Sequence, residues 1–286
     1  MEKSYRAELV GVFGDPIDEN PTGVVEEAAF AALGLNYRYI TVRVKRGELA
    51  AAVQGLRAFH MRGINLTIPH KVEVLQYLDS LSEAAQLCGA VNVVVNEDGQ
   101  LWGDNTDGKG YLKSLVDAGV DPAGKHVTLL GAGGAARAIG VELALAGASK
   151  ITVVNRDRAR GEELVQLLND KTQAEAVYLP WDGAAAVPED TDILSNATSV
   201  GLYPHVEQKP DLQYDTIRPH MVVTDVIFND PNSRFLQEAA QRGAKTINGL
   251  GMLANQAALN FRLWTGREAP VSLMEEVLRR EFHLAE

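Results

Sequence analysis

Two short stretches carry side chains that can exchange a proton with a substrate. In "NLTIPHK" (65–71) an apolar run from Ile64 to Ile68 is stopped by Pro69, and His70 and Lys71 follow at once. The stretch reads as a buried strand ending in a turn, with a cation at its carboxyl end, where open α/β sheets place their ligands. A lysine serves as a proton donor when its pKa is lowered, and a nearby carboxylate can orient it and share the proton. "GDNTDGKG" (103–110) supplies such a carboxylate, Asp107, in a polar turn just before a helix. Spacing alone leaves two readings open. One is an acid–base pair. The other is a helix-capping Asp107 and a solvated Lys71, since aspartate is a strong N-cap.

A third stretch could bind a nucleotide. "LLGAGGAARAIG" places Gly131, Gly133 and Ala136 in the pattern G-x-G-x-x-A. Such glycines permit a tight turn and close approach to a pyrophosphate, and a helix starting near Gly134 points free N–H groups at the anion. The pattern alone is weak. Its context, the strand "VTLL" before it, an alanine-rich helix after it and a second strand "ITVV", strengthens it. At the end of that second strand stands Asn155 rather than an acid, followed by Arg156, Arg158 and Arg160. Guanidinium groups suit a 2′-phosphate, which favours NADP, with NAD as the other candidate. Asp157 can pair with one of these arginines or favour NAD. The competing reading is a solvated arginine-rich helix start, disfavoured because a helix N-terminus is a poor place for spare cations.

The elements that would position these groups alternate between short apolar strands and amphipathic helices across 286 residues. This predicts α/β architecture in two domains, each with a mostly parallel sheet flanked by helices. The boundary is expected just past Asp107. The segment 203–220, polar and proline-bearing, reads as a loop, and three helices are expected near 232–242, 249–264 and 271–282. The net charge, 27 − 38 = −11, makes the chain a poor general binder of nucleic acid or anionic membrane. The single cysteine, Cys88, permits no intramolecular disulfide, reads as a buried apolar residue and fits the cytoplasm. No metal site is expected. The opening "MEKSYRAELVGVFG" has no long apolar core or cleavage-site pattern, so a signal peptide is not expected.

"NLTIPHK", "GAVNVVV", "GDNTDGKG", "GAGGAARA", "NRDRAR", "NATSVG" and "GMLANQAALNFRLWTG" occur in this order. Together they resemble the shikimate dehydrogenase family, which includes the quinate/shikimate dehydrogenases, over nearly the whole chain. The resemblance implies a substrate domain (1–107), a Rossmann-like NADP domain (108–247) and C-terminal helices (248–286) that return to the first domain. It makes Lys71 and Asp107 the catalytic pair, exchanging a proton with the substrate oxygen while NADPH delivers hydride. Thr67, Asn92 and Gln256 fall on positions that hold the ring hydroxyls or the lysine. Gly131, Ala132, Gly133, Gly134 and Ala135 fall on the pyrophosphate turn. Asn155, Arg156, Asp157 and Arg160 match the phosphate-binding Asn-Arg-Thr-x-x-Arg, with Asp157 in the threonine's place. Thr198 and Ser199 in "NATSVG", with Val226, Gly249 and Met252, fall on the nicotinamide and ribose side. The implied partner is a small ring carboxylic acid, the implied setting aromatic amino acid biosynthesis through chorismate or quinate use, and the implied state a monomer or homodimer.

The family's carboxylate site departs from its pattern. The Ser-x-Ser pair is replaced by Asn20 and Thr22, His-Asn becomes Glu26-Glu27, and the tyrosine of Asp-x-x-Tyr-Asn-Pro becomes Phe228. Asn20 and Thr22 still offer an amide N–H and a hydroxyl to a carboxylate. Losing one good donor to a charged group costs about 1.5–3 kcal/mol. The alternatives are therefore an aminoshikimate-type or otherwise differently specific dehydrogenase, or a non-catalytic ligand sensor, although a sensor needs no proton relay.

Overall fold

The structure, a computed structural model, describes residues 5–284. Met1 to Ser4, on which part of the signal-peptide reading falls, and the last two residues of the expected C-terminal segment lie outside the described residues. The chain divides into two compact units, one built from residues up to Thr106 together with Ala254 onward, the other from Asp107–Leu253. The expected boundaries were 107 and 247. Asp107 instead opens a helix of the second unit, and residues 248–253 stay with that unit too.

The first unit is a six-stranded sheet. Its strands are β1 (Glu8–Gly14), β2 (Tyr37–Arg43), β3 (Gly63–Leu66), β4 (Ser80–Leu81), β5 (Val93–Glu97) and β6 (Gln100–Asp104), in the order β2-β1-β3-β5-β6-β4. Strand β1 pairs parallel with β2 and β3, and β4 parallel with β6, while β5 runs antiparallel to both β3 and β6. The helices are α1 (Thr22–Ala32), α2 (Leu49–Ala58) and the short α3 (Glu83–Cys88). Within "KVEVLQYL" the chain forms a short 3-10 stretch, Glu73–Tyr77. Four buried residues in a row make up β3. The apolar run does not continue to Ile68, which is 58% exposed, because the strand ends at Leu66 and the chain turns through a cis Ile68–Pro69 peptide. The core under β3 contains Phe13, Leu49, Leu56, Ile64, Leu66 and Leu101. Cys88 is buried, its thiol donating to the carbonyl of Ala90 at 3.2 Å.

The second unit opens with α4 (Asp107–Asp117), which begins at Asp107 itself rather than just after it. An acid in the first turn favours the positive end of the helix dipole, so Asp107 is inside the helix rather than in a turn before it. Then follow β7 (His126–Leu130), α5 (Gly134–Leu145), β8 (Lys150–Asn155), α6 (Arg158–Lys171), β9 (Glu175–Pro180), β10 (Ala185–Ala186), β11 (Ile193–Asn196), β12 (Leu212–Gln213), β13 (Val222–Asp225), α7 (Arg234–Gln241) and β14 (Lys245–Ile247). The main sheet is parallel throughout, in the order β14-β13-β11-β7-β8-β9. This is a doubly wound Rossmann-like sheet whose strand order reverses between β7 and β11. The segment 203–220 is not a bare loop. It contains β12, paired with β10, and a 3-10 turn Tyr214–Thr216, because Leu212 and Ile217 are drawn into the core with Phe235. Helix α8 (Leu250–Thr265) spans the division between the units, and α9 (Val271–Glu281) packs on α1. Among the described residues no helix is long and apolar enough to cross a membrane.

Candidate active site

In the first unit the loop after β3 sets out the expected residues. Thr67 hangs from β1 through its backbone N–H, which donates to Phe13 O at 3.0 Å. The turn closes when His70 N–H donates to Thr67 O at 2.8 Å. His70 is wholly buried, its ring nitrogen 2.6 Å from Val44 O, while Lys71 beside it is half-buried. The adjacent pair is therefore split. The histidine anchors the turn in the core, and the lysine's own carbonyl is held by Val91 N–H at 2.8 Å.

Asn92 lies at the centre of a buried polar cluster. Its Oδ1 accepts from the N–H of Thr106 at 2.8 Å, and its Nδ2 donates to Thr106 Oγ1 at 3.0 Å and to Gln256 Oε1 at 3.4 Å. The Thr106 hydroxyl donates to Asn260 Oδ1 at 2.7 Å, and Asn260 Nδ2 donates to Gln256 Oε1 at 3.0 Å. Gln256 and Asn260 are one turn apart on α8 and both are buried. The helix thus presents two amides to the strand ends, fixing the orientation of two of the expected substrate residues. Thr106 and Asn260 had not been singled out; an i, i+4 pair of amides within an apolar helix was the available signal.

Asn20 and Thr22 sit at the start of α1. Asn20 Oδ1 accepts from Thr22 N–H at 3.0 Å, leaving the Asn20 amide N–H as a donor, while the buried Thr22 hydroxyl is hydrogen-bonded to the Tyr39 phenol. One turn further, Glu26 is wholly buried with neither oxygen hydrogen-bonded. Burial pushes its carboxyl well above the ordinary carboxylate range. Tyr39 lies close by. Its hydroxyl donates to Asn65 Oδ1 at 2.9 Å, and burial first, then the neighbouring Glu26, pushes that phenol up.

In the second unit the glycine-rich turn lies at the C-terminal end of β7, at the reversal point. Gly131 takes φ +105°, and a side chain there would come within 3.1 Å of Thr198 Cγ2, so glycine alone fits the turn without strain. Ala132 is buried. Gly133 precedes α5 without a side-chain cap, and Gly134 and Ala135 form its first turn, leaving backbone N–H groups available to an anion. Thr198 is held by Asn196, whose Oδ1 accepts from both its N–H (3.1 Å) and its hydroxyl (2.7 Å), while Ser199 is exposed. Asn196 in turn donates to Asp225 Oδ1 at 2.9 Å. Asp225 also accepts from Ser233 Oγ at 2.6 Å and Ile227 N–H at 3.1 Å, and its burial outweighs these donors, raising it to about 6. Asp225, the aspartate three residues before Phe228, braces the loop through Asn196. Val226 N–H donates to Asn196 O at 3.1 Å; Phe228 is half-buried, and Gly249 and Met252 are buried.

The arginine cluster resolves into three roles. Asn155 Nδ2 donates to Asp157 O at 2.7 Å. Asp157 caps α6, its Oδ1 accepting from Arg160 N–H at 3.1 Å and its other oxygen lying 3.7 Å from the Arg160 guanidinium. Arg158 pairs with Glu162 at 2.8 Å. Arg156 lies over the Trp181 ring, 5.9 Å from its centroid, beside a cavity of about 340 Å³ that Lys209 also lines. The cationic wall of that cavity and the uncapped end of α5 fit a phosphorylated dinucleotide.

Known families and structures match this arrangement. Residues 12–94 match the shikimate dehydrogenase substrate binding domain, 114–209 the shikimate/quinate 5-dehydrogenase family and 249–279 the shikimate 5′-dehydrogenase C-terminal domain. The chain is 46% identical, over 95% of its length and 92% of the relative's, to a shikimate dehydrogenase (NADP(+)) of Moorella thermoacetica. Among solved structures, a 5-ketofructose reductase of Gluconobacter sp. strain CHM43 is 46% identical with a TM-score of 0.90, covering 98% of this chain and 100% of that one. The Listeria monocytogenes shikimate 5-dehydrogenase, solved in complex with shikimate and NAD, is 38% identical with a TM-score of 0.88, covering 97% and 98%.

Proposed function

Because this chain belongs to the shikimate dehydrogenase family, we propose that it is an NADP-dependent oxidoreductase that interconverts 3-dehydroshikimate and shikimate, or a closely related ring acid of the quinate type. The observation that carries the reading is the retention of Lys71 and Asp107 within the full ordered motif set. The cofactor, when bound, would supply the hydride as NADPH and accept it as NADP+ in the reverse direction. Every other step falls to the chain. Lys71 gives a proton to the substrate oxygen as the ketone is reduced and takes it back in the reverse direction, with Asp107 orienting the ammonium group. Asn92, fixed by Thr106 and Gln256, and Thr67, fixed by β1, hold ring hydroxyls. Asn20 and Thr22 hold the ring's acid substituent, with Phe228 an apolar neighbour. The Gly131–Ala135 turn takes the pyrophosphate, Asn155, Arg156 and Arg160 the 2′-phosphate, and Thr198, Ser199, Val226, Gly249 and Met252 the nicotinamide side. We place the enzyme in the cytoplasm, as a monomer or homodimer, with the lone buried Cys88 in keeping with a reducing compartment.

A second reading is favoured by the altered acid-binding segment. Asn20 spends its carbonyl on Thr22, Phe228 offers no hydroxyl, and the similar Gluconobacter protein is described as a reductase of 5-ketofructose, a ketone without a carboxylate. The test is reduced-cofactor absorbance with shikimate, quinate and 5-ketofructose, each with the NADP and NAD couples. Turnover of shikimate or quinate with NADP supports the first reading. Turnover of 5-ketofructose alone replaces it with the second.

A further inference from the structure

The functional reading leaves the buried carboxyl of Glu26, in the first unit, without a role. It shares a face of α1 with Thr22, four residues earlier, which places the two side chains about 5–6 Å apart. Glu26 is 0% exposed and Thr22 4%, and neither Glu26 oxygen has a hydrogen-bond partner among the described residues. An unpartnered carboxyl in such a place is costly when charged and tolerable when protonated.

Its surroundings supply no compensation. From β2, Tyr39 is the titratable group whose phenol feels Glu26; its hydroxyl donates to Asn65 and is hydrogen-bonded to Thr22, so it leaves the carboxyl unpartnered. On α1 itself, the Glu27 carboxylate accepts from the backbone N–H of Tyr39. Helix α9 buries Met274 and Leu278, while its charged residues Glu275, Glu276, Arg279, Arg280 and Glu281 are half-buried or exposed. Helix α8 contributes the apolar Phe261, stacked on Phe30 of α1.

We propose that Glu26 is a specificity-determining residue of the substrate unit: its carboxyl must keep its proton for an anionic ring substituent to bind at Thr22, whereas an uncharged, hydroxylated substituent binds with either form. The inference rests on the functional reading in which Asn20 and Thr22 hold that end of the substrate. Taken at a separation of about 6 Å and an effective dielectric of about 20, two like charges oppose one another by roughly a hundredfold in affinity. An anion at Thr22 and an ionised Glu26 therefore exclude each other. A hydroxyl at the same place meets no such penalty and can donate to the ionised form. The residue that stands in place of the family's histidine thus tilts the site away from acids and toward neutral polyols as pH rises.

The test measures binding by calorimetry with the full chain, using shikimate and its methyl ester, which keeps the ring and removes the charge. Shikimate itself stays ionised across pH 6–9.5, far above the ordinary carboxylate range. In the wild type, the preference for shikimate over the ester is expected to fall at least tenfold across this range. In Glu26→Gln the fall is expected to be largely abolished, with shikimate affinity at high pH restored toward its low-pH value. Any contribution to the pH dependence from another group survives in Glu26→Gln, so the two proteins separate the sources. Should Glu26→Gln fail to fold, Lys71→Met carries the test, because the pH dependence must persist there. A flat ratio in the wild type, or the same dependence with and without Glu26, overturns the inference and leaves the functional reading standing. Binding of neither ligand to the wild type refutes the functional reading, and the inference with it.

Discussion

Asn92 offers a perturbation whose size can be worked from its bonds. It is 3% exposed, and its Oδ1 is the acceptor for the N–H of Thr106, itself 1% exposed. In Asn92→Ala that N–H is stranded where water cannot reach it. The other members keep partners. Thr106 still donates to Asn260, and Gln256 Oε1 still accepts from Asn260. One buried donor left without an acceptor costs about 1–3 kcal/mol, and the small cavity left by the amide adds to it. The expected destabilisation is about 2–4 kcal/mol, read as a lower urea midpoint at unchanged slope. A loss under about 0.5 kcal/mol, the range of an ordinary surface substitution, would refute the claim that the cluster is closed to water and centred on Asn92.

Three further outcomes follow from the same structure. A Cβ at position 63 would stand 2.2 Å from both Trp264 Nε1 and Val94 O, where the indole N–H donates at 3.1 Å, so Gly63→Ala should lower thermal stability by about 1–3 kcal/mol or more; an unchanged melting temperature would contradict the seating of α8 on the sheet. Arg156→Ala should weaken NADP binding about tenfold to a hundredfold while NAD binding changes little, and an equal loss for both cofactors would remove Arg156 from the 2′-phosphate. Burial raises Asp225 from 3.8 to about 6, so the folded chain keeps a proton that the unfolded chain has lost, and the stability this group contributes declines as pH rises from about 4 to about 6. At about 1.4 kcal/mol per pH unit the full change is about 3 kcal/mol, so the unfolding free energy of the wild type minus that of Asp225→Asn should drop by about 2–3 kcal/mol between pH 4 and pH 7, whereas a constant difference would show that the three donors cancel burial.

The alternation of strands and helices was legible because α/β strands such as "GINL" and "HVTLL" are buried along their whole length and mostly apolar, and because the turn after β7 needs glycine. The strand β9, "EAVYLP", has few fully buried residues at the sheet edge and gave little signal. The pairs β10–β12 involve two residues per strand, too short to show periodicity, inside a segment whose prolines read as loop. The start of α4 was misplaced because Gly108 and Gly110 argue locally against a helix, and tertiary packing of α4 on α5 overrides them. Within the site, residue types that mark chemistry stood out, such as Lys71, Asp107 and the arginines. The residues that hold them in place did not. Thr106, Asn260 and Asp225 become meaningful only when long-range contacts bring their partners together, at sequence separations of 154 for Thr106–Asn260 and 29 for Asn196–Asp225.

The most direct measurement of the central claim is steady-state oxidation of shikimate with NADP by the wild type, Lys71→Ala and Asp107→Asn, alongside the Kd of each protein for NADP. Proton transfer by a positioned side chain contributes about a hundredfold to ten-thousandfold in rate. The account predicts that kcat falls by about that range in Lys71→Ala and falls clearly in Asp107→Asn, while Kd for NADP stays within about twofold, since neither side chain is assigned to the cofactor. A Lys71→Ala enzyme that turns over shikimate at close to the wild-type rate would contradict it.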